Sequence, residues 1–328
     1  MSAVASLPRA SVVVSTLDRA AHLEKLLGSL RELDYPAFEV VVVNGPSTDG
    51  TDELLAAYAG RIKAARCPVA NLSRSRNIGI AAAAGDLVAF IDDDALPATP
   101  QWLRGLAGHL VARPALGGVG GPSLRGDSDD YEFRGRLASD YAELLPFEDA
   151  EPRGMRADGV RWVEAAQGNN CVFRREALVA IGGFDENFPY FLDETDVCFR
   201  LARIGRPVAF VREWAVRHYN ASGSYRRTSH DRRWDVIARS DAYYALKNGD
   251  DRLPVRLVHT LAIARRKFPY HQINAFYREG RYGAPTRLRY LVRWARGVCA
   301  GVWWGLTRAR RTPLAATSSP SPFLPFRA

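Results

Sequence analysis

Three aspartates in a row, Asp92-Asp93-Asp94, follow five apolar residues, Leu87-Val88-Ala89-Phe90-Ile91. The apolar run reads as a buried strand, so the acids stand where the chain leaves the core. Adjacent carboxylates repel one another, and an ordered site there needs a cation or a ring of donors. Hard oxygen ligands suit Mg²⁺ or Mn²⁺, and both ions favour phosphate oxygens as further partners. In an open α/β sheet, ligands bind beyond the carboxyl ends of the strands. The triplet therefore reads as a metal–diphosphate site, with a plain acidic turn as the competing reading. Asp94 is suited to hold the metal and Asp92 to accept from a ribose hydroxyl, with Asp93 on the nucleotide side. His218 is a candidate further ligand, although a lone histidine after a strand is more often structural.

Asp193, Glu194 and Asp196 form a second acidic group. One reading is local: Asp193 caps a helix, and Glu194 is favoured in its first turn by the backbone dipole. That leaves the apolar and aromatic neighbours before them, Phe188, Tyr190, Phe191 and Leu192, without a role. A carboxylate held against an apolar wall has a raised pKa and can serve as a general base. The two readings are compatible, because one residue can cap while the next acts.

The elements that must position these groups alternate. Strands are expected at 11–15, 39–43, 62–66, 87–91 and, as the last, 208–211. Leu23, Leu26, Leu27, Leu30 and Leu33 share one helical face. Further helices are expected at 51–58, 73–84 (which holds Arg74, Arg76 and Asn77), 101–111, 174–181 and from 193 to Gly205. Gly182-Gly183 closes the fifth of these six helices. Residues 121–160 read as loops with short helical pieces. This alternation argues for parallel strands joined by right-handed crossovers. The polar clusters 16–19, 44–49 and 92–94, and the run ending at His218, would then meet along one edge of the sheet.

With 328 residues and an apolar share of 47%, the chain has material for a large α/β core and is not a disordered one. Its net charge of +9 is uneven: residues 252–311 hold fourteen Arg or Lys against Glu279 alone, a net of +13. Residues 1–251 carry about −5. An anionic partner is therefore expected at the C-terminal part. Stretches 252–267 and 286–311 read as basic amphipathic helices, and 312–328, rich in Pro and Ser, as a disordered tail. The division expected is 1–251, 252–311 and 312–328. The first residues carry no secretory pattern, and the longest apolar run, 297–306, falls short of the ~20 residues that span a bilayer. Cys67, Cys171, Cys198 and Cys299 lie far apart and read as buried reduced thiols. A cytoplasmic protein, peripheral at the inner face of the membrane, is the expectation.

Taken in order, several pieces form a set. They are Val-Val-Val-Ser-Thr at 12–16, Gly-Pro-Ser-Thr-Asp-Gly-Thr at 45–51, Ser-Arg-Asn-Ile-Gly at 75–79 and the triplet at 92–94. Then come Gly-Asn-Asn-Cys-Val-Phe-Arg-Arg-Glu at 168–176, Gly-Gly-Phe-Asp-Glu at 182–186 and Asp-Glu-Thr-Asp-Val-Cys-Phe-Arg-Leu at 193–201. Over about residues 10–220 the chain resembles the family 2 glycosyltransferases. That resemblance implies a GT-A-type, Rossmann-like mixed sheet flanked by helices, here with a basic helical extension. It implies inverting transfer of a sugar from a nucleotide-sugar donor to a glycan or lipid-linked acceptor, with Mg²⁺ or Mn²⁺ and no nucleic-acid partner; an anionic membrane surface is a possible further partner.

By position, the resemblance places Thr16 and Asp18 near base and ribose, Asn44 against the base, and Arg76 on the nucleotide side. It places Asp92 at the ribose and Asp94 on the metal. Glu194 matches the second acid of the family's Glu-Asp pair, the catalytic base, with Asp193 in reserve because the order here is Asp-Glu. Asn44 stands where the family usually has Asp; an amide donates as well as accepts, so uridine is not implied. Two rivals are a sugar-nucleotidyltransferase and a non-catalytic basic module. The first would carry glycine in the loop at 16–19, and the second would not need the two acidic groups.

Overall fold

The structure, a computed structural model, describes residues 7–146, 154–155, 161–223, 228, 230–249, 251–314 and 322–326. Its first half alternates as expected: β1 (Ala10–Thr16), α1 (Ala20–Leu30), β2 (Phe38–Asn44), α2 (Thr51–Ala57), β3 (Lys63–Arg66), α3 (Leu72–Ala82) and β4 (Leu87–Phe90). Valine runs in β1 and β2 are buried on both faces, as in a sheet covered by helices on each side. The leucines of α1 face that core.

Beyond Asp94 the chain forms β5 (Ala95–Pro97), α4 (Trp102–Ala112) and β6 (Gly118–Gly120). It continues through β7 (Ser123–Arg125), β8 (Tyr131–Phe133), β9 (Arg136–Ser139), β10 (Leu144–Pro146), β11 (Gly154–Met155) and β12 (Arg161–Ala165). The described residues of 121–160 therefore hold strands, not the expected helical pieces. Strands this short carry no visible alternation, which is why the sequence reads as loop. Next come β13 (Cys171–Arg174), α5 (Arg175–Ala180), α6 (Asp193–Arg203), β14 (Val208–Phe210) and β15 (Val216–His218). β14 is thus not the last strand.

The main sheet has the order β14-β6-β13-β4-β1-β2-β3. Its strands are parallel except β13, which runs antiparallel to both β4 and β6. The expected all-parallel sheet is therefore mixed. Two small sheets, β10-β9-β12-β11 and β5-β15-β7-β8, stand beside the main one.

The C-terminal part is helical: α7 (Trp234–Asn248), α8 (Leu253–Ile263), a 3₁₀ turn (Ala264–Arg266), α9 (Phe268–Arg278) and α10 (Ala284–Thr307). The sequence reading missed α9, whose first turn carries Pro269. α10 packs along α7 through Gly297, Gly301 and Gly305, where a Cβ would overlap Asp235 O, Arg239 O and Leu246. Small residues at i, i+4 and i+8 bring the two backbones together. Cys299, expected buried, is exposed on the other face of α10.

The chain after α10 does not drift away. Residues 308–314 form a strap over the loop 182–187. Asn187 Nδ2 donates to Ala309 O, Arg311 N to Asp185 Oδ1, Glu186 N to Arg311 O, and Leu314 N to Gly182 O. Arg310 reaches the fully buried Asp196 of α6, which also holds Arg200 and accepts from Asn248. Burial works against the Asp196 charge, but the two guanidiniums outweigh it and lower its pKa to about 2. Further on, Phe326 N donates to Phe38 O and Leu324 N to Glu39 Oε2. The expected disordered tail is thus docked at 312–314 and 322–326; its remaining residues lie outside those described.

Gly301→Val should lower stability by about 2 kcal/mol, because the added branch meets backbone that cannot retreat. Urea denaturation checks this; an unchanged midpoint would show that α10 is not seated on α7 as described.

Candidate active site

Thr16 ends β1, and the acidic triplet follows β4 next to it in the sheet. Asp93 turns inward: it accepts from Thr16 Oγ1 at 2.8 Å and from Arg19 Nη1 at 2.8 Å. It is buried and paired, so it braces the turn and does not face the nucleotide side as expected. Arg19 also lies 3.2 Å from Asp94 Oδ2 and donates to the carbonyls of Ala221 and Ser222. One guanidinium thus fastens the β1 loop, the triplet and the chain after β15. Arg19 escaped the sequence reading except as part of a polar cluster.

Asp92, Asp94 and His218 each offer a ligand atom, all within 4.8 Å of one another. Asp94 Oδ1 is buried without a hydrogen-bond donor, and His218 Nε2 stands 3.3 Å away. Glu132 Oε2, 2.8 Å from His218 Nδ1, orients the ring, and Asn220 Nδ2 donates to the same Glu132 oxygen. Glu132 sits on β8, in a segment with no legible motif. Burial opposes charge on Asp94, yet His218 and Arg19 pull its pKa down to about 2. Burial likewise opposes the His218 imidazolium, but Asp94 and Glu132 raise it to about 10. A metal ion bound there would displace the ring proton of His218, and an orphaned carboxylate oxygen beside a second carboxylate and that oriented, then neutral, imidazole fits Mg²⁺ or Mn²⁺. Asp92, expected at the ribose, belongs to this set.

The nucleotide-side loops lock together. Asp18, at a φ of 54°, accepts from Thr48 N at 2.7 Å, and its own N–H donates to Ser47 Oγ. Asn44 was expected against a base. Instead its Nδ2 donates to Asp52 Oδ1 and its Oδ1 accepts from Ser47. It is fully buried and shapes the 45–50 loop.

The second acidic group opens α6. Asp193 does not cap it: the cap is Leu192, at a φ of 64°, preceded by Phe191 at 73°. Two successive left-handed non-glycine residues are costly backbone, held here by packing against Phe188, Tyr243 and Tyr244. The Asp193 carboxylate is freed to pair with Arg76 of α3. Arg76 lies 3.7 Å from Glu194 Oε2 and 3.7 Å from Asp92 Oδ1. One buried guanidinium therefore touches both acidic groups, and they share a cleft. Gly168 makes room for it, since a Cβ there would overlap Arg76 Nη2. Burial, then the neighbouring Asp193, raises Glu194 to about 8 although Arg76 opposes them.

The glycosyl transferase family 2 model matches residues 11–182. The chain belongs to that family. Among its relatives is the O-antigen biosynthesis protein RfbC of Myxococcus xanthus, 26% identical over 245 residues, covering 71% of this chain and 18% of that protein. The chain thus spans under a fifth of that relative's length. Another is the N-acetylglucosaminyl-diphospho-decaprenol L-rhamnosyltransferase of Mycobacterium tuberculosis, 26% identical over 244 residues, with 66% and 77% covered. Among solved structures, the mannosyltransferase PcManGT of Pyrobaculum calidifontis, in complex with GDP-Man and Mn²⁺, superposes with a TM-score of 0.54. It is 18% identical and covers 92% of this chain and 88% of its own. The mixed sheet with its flanking helices is the GT-A fold.

Glu132→Gln should weaken Mn²⁺ binding about 10- to 100-fold by releasing the His218 ring, and Asp94→Asn should weaken it further. Titration calorimetry with Mn²⁺ alone reads this. Equal affinity in both variants would remove the cluster from metal binding.

Proposed function

We propose that this chain is an inverting, nucleotide-sugar-dependent glycosyltransferase acting on a hydroxyl of a glycan or lipid-linked acceptor. The observation that carries the reading is the Arg76 bridge, which puts Glu194 and the Asp92/Asp94/His218 cluster in one cleft. Family membership favours it over a nucleotidyltransferase or a basic binding module. The relative named for N-acetylglucosaminyl-diphospho-decaprenol supports the lipid-linked alternative.

Of the two adjacent acids, Glu194 is the better base. Asp193 is buried and ion-paired, whereas the Glu194 side chain keeps 20% of its surface open. Glu194 takes the proton of the acceptor hydroxyl as that oxygen attacks the anomeric carbon opposite the leaving diphosphate. One such displacement inverts the anomeric centre. A divalent ion held by Asp92, Asp94 and His218 would offset charge on the departing nucleoside diphosphate. Arg76 fixes the direction of the α6 acids, and the Asp18–Thr48 contacts fix the loops where base and ribose would lie.

Glu194→Gln should retain donor binding and lose turnover by about 10²- to 10⁴-fold. The parent enzyme should gain rate as pH rises through about 8, because the base must be deprotonated and its carboxylate is protonated below that pKa. Donor hydrolysis and transfer assays across pH, with calorimetry of the donor, test both; near-normal turnover in the variant would take Glu194 out of the role.

A further inference from the structure

The exposed apolar surface of this protein is concentrated where its positive charge is. Among the described residues, thirteen large apolar ones are left exposed, and nine of them lie between Leu253 and Leu306. Residues 252–311 carry the net charge of +13. On α10 the exposed residues Leu288, Val292, Cys299, Trp303 and Leu306 recur at helical spacing and fall within one narrow stripe. Trp303 is 65% exposed and Leu288 64%. The stripe is not the seat of the helix: that is the glycine face at 297, 301 and 305, turned to α7. Arg289 and Arg296 lie along one edge of it, and neither has a carboxylate partner among the described residues. The one acid of the region, Glu279, is taken by Arg281.

We propose that the outward face of α10 is a membrane-docking surface whose partner is an anionic lipid bilayer. A Trp/Leu stripe rimmed with arginines matches the boundary between acyl chains and acidic headgroups. α10 is 24 residues long, about 36 Å of helix. No helix among the described residues is long and apolar enough to cross a membrane, so the fit is to lying on one. The exposed Val255, Val258 and Leu261 of α8, beside Arg265 and Arg266, add to the same kind of surface. A second copy is the poorer partner, because a two-fold contact would set this unpaired positive charge against itself. The surface is separate from the cleft and does not depend on the catalytic reading.

The test is co-sedimentation of the full chain with vesicles of equal parts phosphatidylglycerol and phosphatidylcholine, against phosphatidylcholine alone. The wild type should bind the anionic vesicles at low salt at least about tenfold more tightly than the neutral ones. Val292→Glu/Trp303→Glu should lose that binding with an unchanged melting temperature and unchanged hydrolysis of the nucleotide-sugar. Arg289→Glu/Arg296→Glu, which leaves the apolar stripe intact, should lose it as well, and serves if the first variant does not fold. Absence of wild-type binding at low salt, or equal binding by the folded variants, overturns the proposal. So does a wild-type dimer that the first variant converts to monomer without any vesicle binding. Vesicle binding by a wild type that hydrolyses no donor would sink the catalytic reading alone.

Discussion

Arg76 is the contact on which the rest depends. It is buried, and three carboxylates of two distant segments lie around it: Asp92, Asp193 and Glu194. Without a cation between them those acids would repel, and burial would neutralise them. With it, they stay close and differ in character. Asp193 is consumed by the pairing, Asp92 is left to the group it forms with Asp94 and His218, and Glu194 sits at the margin with its pKa raised. The rings of Phe90 and Phe184, 5.7 and 5.3 Å from the guanidinium carbon, wall off the rest of the charge. The glycine at 168 is part of the same device, since any side chain there would displace the cation.

A second set of contacts anchors α6. Asp196 lies three residues beyond Asp193, between Arg200 of its own helix and Arg310 of the strap. Tyr243 of α7 donates to Asp185, and Asn187 donates both to Tyr243 and to the strap. The helix that carries the proposed base is therefore held through Asp193 by Arg76 of α3 and through Asp196 by Arg310 of the strap, 114 positions later. Breaking such a buried pair strands a charge and costs several kcal/mol, about 3–5 by analogy with other buried pairs.

Much of this was legible. Valine runs gave β1 and β2 and a leucine face gave α1, because those elements are long enough for periodicity to speak; β4 showed as a short apolar run, and β3, Lys63–Arg66, was only weakly marked. The convergence of 92–94 with Glu194 followed from strand-end chemistry and from the ordered motifs. What was not legible depends on three-dimensional partners. Asn44 and Asp93 look like ligands in sequence, but their polar atoms are used up by Ser47, Asp52, Thr16 and Arg19. Glu132 has no motif and matters only because β8 brings it to His218. Asp193 resembles a cap, yet the left-handed Leu192 takes that position and releases it. The tail reads as disordered from its Pro and Ser, while its order comes from the backbone groups it meets.

The strap also orders events in time. The pairings among β1 to β4 span 22 to 77 residues and lie wholly within residues 10–90, so they can form before the strap exists. The Arg310–Asp196 anchor of α6 cannot form until the chain past Arg310 is free to close a loop of more than a hundred residues back to Asp196. Until residues 308–314 have docked, the chain would thus hold a nearly complete main sheet and an α6 that lacks its second anchor.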